Sequence, residues 1–238
     1  AKRAIELSRK QFAAAIGAEP SEITFTSGGS EANSWVIRCA TKTYLGKPMH
    51  IITSEIEHHS VLNACHALEQ TGIEVTYLPV NATGVVEVTS LEEAIKPHTK
   101  LVSIMLANNE IGTVQPVEEI GQLLKSKGIL FHTDAVQAVG HIPVDVSRLG
   151  VDFLTASAHK FNGAKGAGIL YKRSGIDLSP LIFGGKQEHG LRAGTENVAG
   201  IVSVGFAIEE SLGAMADESE RLSAMVKATV EGIKEKIP

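Results

Sequence analysis

LVSIMLANNEIGTVQPVEEIGQLLKSKGILFHTD, residues 101–134, sets an apolar run, an amphipathic stretch and a second apolar run one after another. LVSIMLA and ILFHTD are short and β-branched enough to be strands, while VEEIGQLLKSKG carries its apolar residues at the three-and-four spacing of a helix face. Strand, helix and strand in that order make a parallel crossover unit. The alternation extends outward both ways. Upstream stand EITFT, EANSWVIRCATKTYL, HIITS, SVLNACHALEQTG and EVTYLPV; downstream stand DFLTAS and AGILYK, the last a strand that can run antiparallel. The expected fold is therefore α/β, a three-layer α/β/α arrangement with a mostly parallel central sheet.

Composition narrows the class of function. With 238 residues, 43% of them hydrophobic and 21% charged, the chain has ample material for a buried core and is neither disordered nor fibrous. No run approaches the roughly 18 apolar residues of a membrane-spanning helix, so no membrane partner is expected. A formal charge of −5 and the lack of a basic stripe with interleaved aromatics argue against nucleic acid. Cys39 and Cys65 form no CxxC pair and no disulfide framework, which suits a reducing cytoplasm and a role in apolar packing. The chain starts without Met in an already helical stretch, shows no signal peptide, and ends just after another helix. The expectation is a fragment, with residues 1–212 forming a large domain and residues 213–238 a helical exit toward a domain outside it.

In open sheets of this kind ligands sit beyond the carboxyl ends of the strands. Five such ends carry polar residues. TSGGSEAN puts Gly29 and Ser30 at the start of a helix, where free N–H groups attract an anion; an ordinary glycine turn with a serine cap reads equally well. HTDAVQ ends a strand with Asp134, able to hold a protonated ring nitrogen or simply to cap a helix, and sets Gln137 a turn later to address an oxygen. EHHS offers His58 and His59, which as neighbours diverge, so one of them can stack on an aromatic ligand. Their spacing matches no metal motif, and no metal is expected. ANNEIG supplies Asn108 and Asn109, both also explicable as turn residues. SAHK places Lys160 after a buried-looking strand, either at the surface or as a partly desolvated amine able to attack an aldehyde. An anion-binding helix start, a ring-nitrogen acid, a stacking histidine and a lysine together describe a pyridoxal phosphate pocket.

The ordered series TSGGSEANS, SEIEHHSVL, NNEIGTVQP, FHTDAVQAVG, SAHKFNGAKGAGILY and RAGTEN resembles the NifS/IscS-type cysteine desulfurases of the class V aminotransferase group, fold type I pyridoxal phosphate enzymes. The resemblance implies a pyridoxal-phosphate-dependent large domain in which Lys160 anchors the cofactor's aldehyde, Asp134 pairs with its ring nitrogen, and His58 stacks on the ring and shuttles protons. It further implies that Asn109 and Gln137 address the phenolic oxygen and the substrate side. By the same resemblance Gly29, Ser30, Ser157 and His159 would hold the phosphate, and Thr195 would reach the phosphate of a neighbouring subunit in a homodimer. The implied reaction takes L-cysteine to L-alanine and passes sulfur, as a persulfide, toward a sulfur-acceptor scaffold for iron–sulfur cluster assembly.

Departures from the family pattern matter too. An LDNAA-like early segment and the mobile loop with the nucleophilic cysteine are not in the chain, and neither Cys39 nor Cys65 stands in the catalytic-cysteine motif. Pyridoxal phosphate binding with little or no turnover is therefore expected. Ala164 stands where many relatives have proline before KG, which should loosen that turn. A selenocysteine lyase, a class V aminotransferase for another amino acid, and a non-catalytic dimerising scaffold remain compatible with the same motifs.

Overall fold

The computed structural model describes residues 1–39 and 48–237. Among the described residues, seven strands form one sheet: β1 (Ile23–Thr26), β2 (His50–Ser54), β3 (Glu74–Leu78), β4 (Thr99–Ser103), β5 (Leu130–Asp134), β6 (Phe153–Ser157) and β7 (Gly168–Lys172). Their spatial order is β1-β7-β6-β5-β4-β2-β3. Strands β3, β2, β4, β5 and β6 pair in parallel, and β7 pairs antiparallel with both β6 and β1. One strand is thus reversed, and β1, through β7, points the same way as the other five. AGILYK takes its antiparallel option.

The strands read as unbroken apolar runs because both faces of the sheet are covered. Successive residues serve opposite cores. Ile52, Val102, Leu154 and Ile169 join one cluster with Phe12, Leu124 and Val204, whereas Ile51, Leu101, Phe153 and Leu170 join a second with Trp35, Val36 and Val61. The first face is covered by α1 (Lys2–Ala15), α4 (Val88–Ala94), α5 (Val117–Lys127) and α7 (Val198–Lys234), the second by α2 (Gly29–Cys39) and α3 (His59–Glu69). A four-residue helix, α6 (Val146–Leu149), packs beside α5. This is the three-layer arrangement expected. Residues 40–45 of the segment expected as one helix from EANSW to TYL lie outside the described residues. Strand β4 is shorter than LVSIMLA, yet the Ile104 and Leu106 amides still donate to the His132 and Asp134 carbonyls, so the run continues along β5.

Helix α5 buries Val117, Ile120, Gly121 and Leu124 on one face and closes at Gly128, whose φ of 66° is open to glycine without a Cβ penalty. Helices α1 and α7 cross closely. A Cβ at Gly205 would press on the side chains of Gln11 and Ser8. By length and composition α7 could cross a membrane, but Ile201, Val204 and Ile208 of its apolar half are buried in the core shared with α1. The position 212/213 falls inside this unbroken helix, whose last buried residue is Ile208.

Candidate active site

Because six strands share a direction, the carboxyl ends of β1, β2, β4, β5 and β6 open on one edge of the sheet. The residues just beyond them enclose a cavity of about 380 Å³, within the ~300–1,000 Å³ usual for small-ligand sites. Each strand contributes. After β1 come Gly29, Ser30 and Asn33; after β2, His58 and Ser60; after β4, Met105 and Asn109; after β5, Asp134, Val136 and Gln137; after β6, Ser157, His159 and Lys160. Of the site residues implied by the resemblance, only Thr195 lies outside this lining; it is exposed, in the loop before α7. A wider groove between α2 and α3 shares Ser30, His58 and Ser60 but contains neither Asp134 nor Lys160.

The first turn of α2 is held tightly against the sheet. A Cβ on Gly168 of β7 would collide with the Gly28 backbone, and one on Gly29 would lie 2.8 Å from the Val136 side chain. Gly29 and Ser30 of this turn line the cavity, and the opening amides of a helix have no partner within it. Glu31 ties this turn to the loop that carries Thr195, since Arg192 donates to its two oxygens at 2.9 and 3.1 Å. Burial alone would raise the Glu31 carboxyl; Arg192 and Ser27 hold it below its ordinary range instead.

After β6 the chain makes a single 3₁₀ turn, Ala158–Phe161, that ends with Asn162 at φ 66°, a conformation asparagine tolerates. The turn sets the half-buried Lys160 at the cavity, and the ring N–H of His141 donates to the Lys160 carbonyl at 2.7 Å. Among the described residues, no hydrogen bond or ion pair engages the Lys160 ammonium. Ser157 Oγ and His159 Nδ1 lie 3.0 Å apart. Burial, then the charges of Lys160 and Lys165, keep the His159 imidazole below its ordinary pKa.

Asp134 sits at the end of β5 with its carboxyl buried. The Val136 amide donates to Oδ1 at 2.9 Å and Asn33 Nδ2 to Oδ2 at 2.6 Å, so the carboxyl caps a turn, since among the described residues no helix follows β5 directly. Burial pushes its pKa up, opposed by these bonds and by the charges of His58 and Lys160. A buried carboxylate without an ion pair gains from a cation brought into the cavity. Asn109 lines the cavity, whereas Asn108 shapes its loop, its Oδ1 accepting from the amides of Glu110 and Ile111.

Three residues escaped the motif reading. Asn33 is one helical turn after Ser30, so its place on the same face was available from the spacing. Ser60 follows His58 as the second residue of α3, and its amide donates to His58 Nδ1 at 3.1 Å, making His58 the helix cap. Glu57 had no signal. Its side chain is fully enclosed, Oε1 accepts from Ser54 Oγ at 2.7 Å and from the Met105 amide at 2.9 Å, and Oε2 has no partner. Burial, with the nearby Asp134 charge adding to it, pushes the Glu57 carboxyl up to about 8. Cys39 and Cys65 are buried and form no disulfide among the described residues, as expected of packing residues, and burial raises the Cys65 thiol to about 12.

The comparisons agree with this geometry. The sequence model for aminotransferase class-V matches residues 1–236. Cysteine desulfurase IscS of Clostridium botulinum, strain Hall, is 50% identical over 237 residues, which is 100% of this chain and 60% of that protein. Among solved structures, a NifS-like protein superposes with a TM-score of 0.96 at 41% identity, over 98% of this chain and 65% of its own. A second, SspA in complex with cysteine, gives 0.86 at 46% identity over 87% and 60%. The chain spans about 60% of the length of the curated relatives it matches. With the family model covering nearly every residue and the polar strand ends converging as its motifs imply, the chain belongs to the aminotransferase class-V family.

Proposed function

We propose that this chain is the cofactor-binding part of a pyridoxal-phosphate-dependent cysteine desulfurase. The observation that carries the reading is the presence of the Asp134 carboxylate and the Lys160 amine in one cavity, at the ends of the adjacent strands β5 and β6. The donor set fits the group. Free α2 amides with Ser30, Ser157 and His159 would hold a phosphate, Asp134 would hold a protonated pyridine nitrogen, and Lys160 offers an amine to an aldehyde. His58 would cover the ring face, with Asn109 and Gln137 at the ring oxygen and the substrate.

When bound, such a cofactor supplies an electron sink for charge developing at the substrate α-carbon. The chain's own part is to orient that carbon and to move its proton, for which Lys160 and His58 are the groups at hand. Asp134 keeps the ring end of the cavity negative. L-cysteine is the proposed substrate, since the relatives carry the name cysteine desulfurase and one structural neighbour is in complex with cysteine. Sulfur transfer needs an accessible thiolate, and both cysteines of this chain are buried. Turnover by these 238 residues alone should therefore be negligible. A homodimer in which Thr195 serves the neighbouring site, and delivery to a sulfur-acceptor protein in the cytoplasm, complete the proposal.

Titration of the purified chain with pyridoxal phosphate tests it. Visible absorbance of a lysine-bound cofactor should develop in the wild type and be lost in Lys160→Ala. Equal absorbance in both would refute the assignment.

A further inference from the structure

Two side chains to which the family resemblance gives no role connect the acid at one end of the cavity to the imidazole at the other. Asn33 Nδ2 lies 2.6 Å from Asp134 Oδ2 and 2.9 Å from Ser60 Oγ. Ser60 Oγ in turn lies 2.7 Å from His58 Nδ1, the nitrogen that also receives the Ser60 amide. Elimination assigns a direction to each bond. A backbone N–H only donates, so His58 Nδ1 accepts and carries no proton. Asn33 gives one amide hydrogen to Asp134 and one to Ser60, and Ser60, accepting there, gives its own hydrogen to His58.

Turning the Asn33 amide over would break this order, and the surroundings oppose it. Asn33 Oδ1 is buried with no partner. Exchange would strand two N–H donors in that position, a rarer and costlier defect than an unused carbonyl lone pair. It would also set an amide oxygen against Asp134, which as a carboxylate only accepts.

We propose that Asn33 and Ser60 are positioning residues that hold His58 as its Nε2–H tautomer, leaving the imidazole with a donor and no basic nitrogen for the cavity. Resting on the reading of the cavity as a cofactor site, this deepens the role of His58. It donates a hydrogen bond to an anionic atom of the ligand, a thiolate or an oxygen, and removal of the α-proton falls to Lys160. The same Nδ1 that caps α3 is withdrawn from proton transfer.

The test is ¹⁵N and ¹³C NMR of the histidine-labelled chain without cofactor at about pH 8.5, where an ordinary imidazole is neutral, with the His58 signals assigned by their loss in His58→Gln. The expected pattern is that of the Nε2–H form in the wild type and in Ser60→Thr, which keeps the hydroxyl. Asn33→Ala frees the Ser60 hydroxyl to turn, and Ser60→Ala removes it; both should shift His58 toward a mixture of tautomers. An Nδ1–H pattern in the wild type overturns the proposal. An unchanged single Nε2–H form in both alanine variants overturns the part given to Asn33 and Ser60, leaving the helix cap alone responsible. Because no cofactor is present, these outcomes are independent of whether the chain binds pyridoxal phosphate.

Discussion

Replacing Glu57 by Gln should remove a pH dependence that the wild-type fold carries. The side chain is enclosed beneath the cavity, one oxygen has no partner, and burial beside Asp134 raises its pKa from 4.5 to about 8. Folding therefore favours the neutral acid. The contribution of Glu57 is fully present below pH 4.5, declines as the unfolded chain ionises first, and is gone once pH passes about 8. At ~1.4 kcal/mol per pH unit, that interval is worth up to about 5 kcal/mol. The amide of the Glu57→Gln variant cannot ionise. Urea unfolding of both proteins at steps across the interval should show the variant gaining on the wild type by several kcal/mol as pH rises. His50 and His132, whose burial lowers them to about 4 and about 3, act in the opposite sense and lose stability as pH falls from 6.5. Present in both proteins, they cancel in the difference. A difference that stays flat across the interval would refute the reasoning.

Two further predictions concern the scaffold. Glu188 and Arg9 form a buried pair in which Glu188 also accepts the Phe25 amide, so Glu188→Gln should cost about 3–5 kcal/mol in chemical denaturation; replacing both residues by apolar ones should recover much of it. The Ala164 amide donates to Ser203 Oγ at 2.9 Å, a bond proline cannot make. Ala164→Pro should thus cost about 0.5–1.5 kcal/mol in thermal unfolding, and Ser203→Ala should then add little on the same background.

Much of this arrangement is written in local pattern. Apolar runs followed at once by Gly29, His58, Asn109, Asp134 and Lys160 mark strand ends, and parallel crossovers bring such ends to one edge whatever the details. The turn around Ala164 is not loose, as the proline comparison suggested, because Ser203 of α7 supplies an acceptor from far along the chain. The same limit applies to Glu57. An acid between a strand and a helix reads as a surface residue, and its enclosure depends on the Met105 amide, 48 positions away. The pairing of β1 with β7 has no local signal either, since Ile23 meets Tyr171 from the far end of the sheet-forming sequence. Asn33 was legible by helical spacing; its double donation depends on where Asp134 and Ser60 fall in space.

Among the described residues, strand β1 has one ladder partner, β7, which comes later in the chain than the other five strands, so during synthesis β1 must wait for β7 before it can be seated. The anion-receiving turn follows β1 directly, and it gains its place only when that late pairing closes. Ligand capture at this edge therefore reports that β1 and β7 have paired, and a phosphorylated ligand would act during synthesis as a latch on that late pairing rather than a template for the earlier ones.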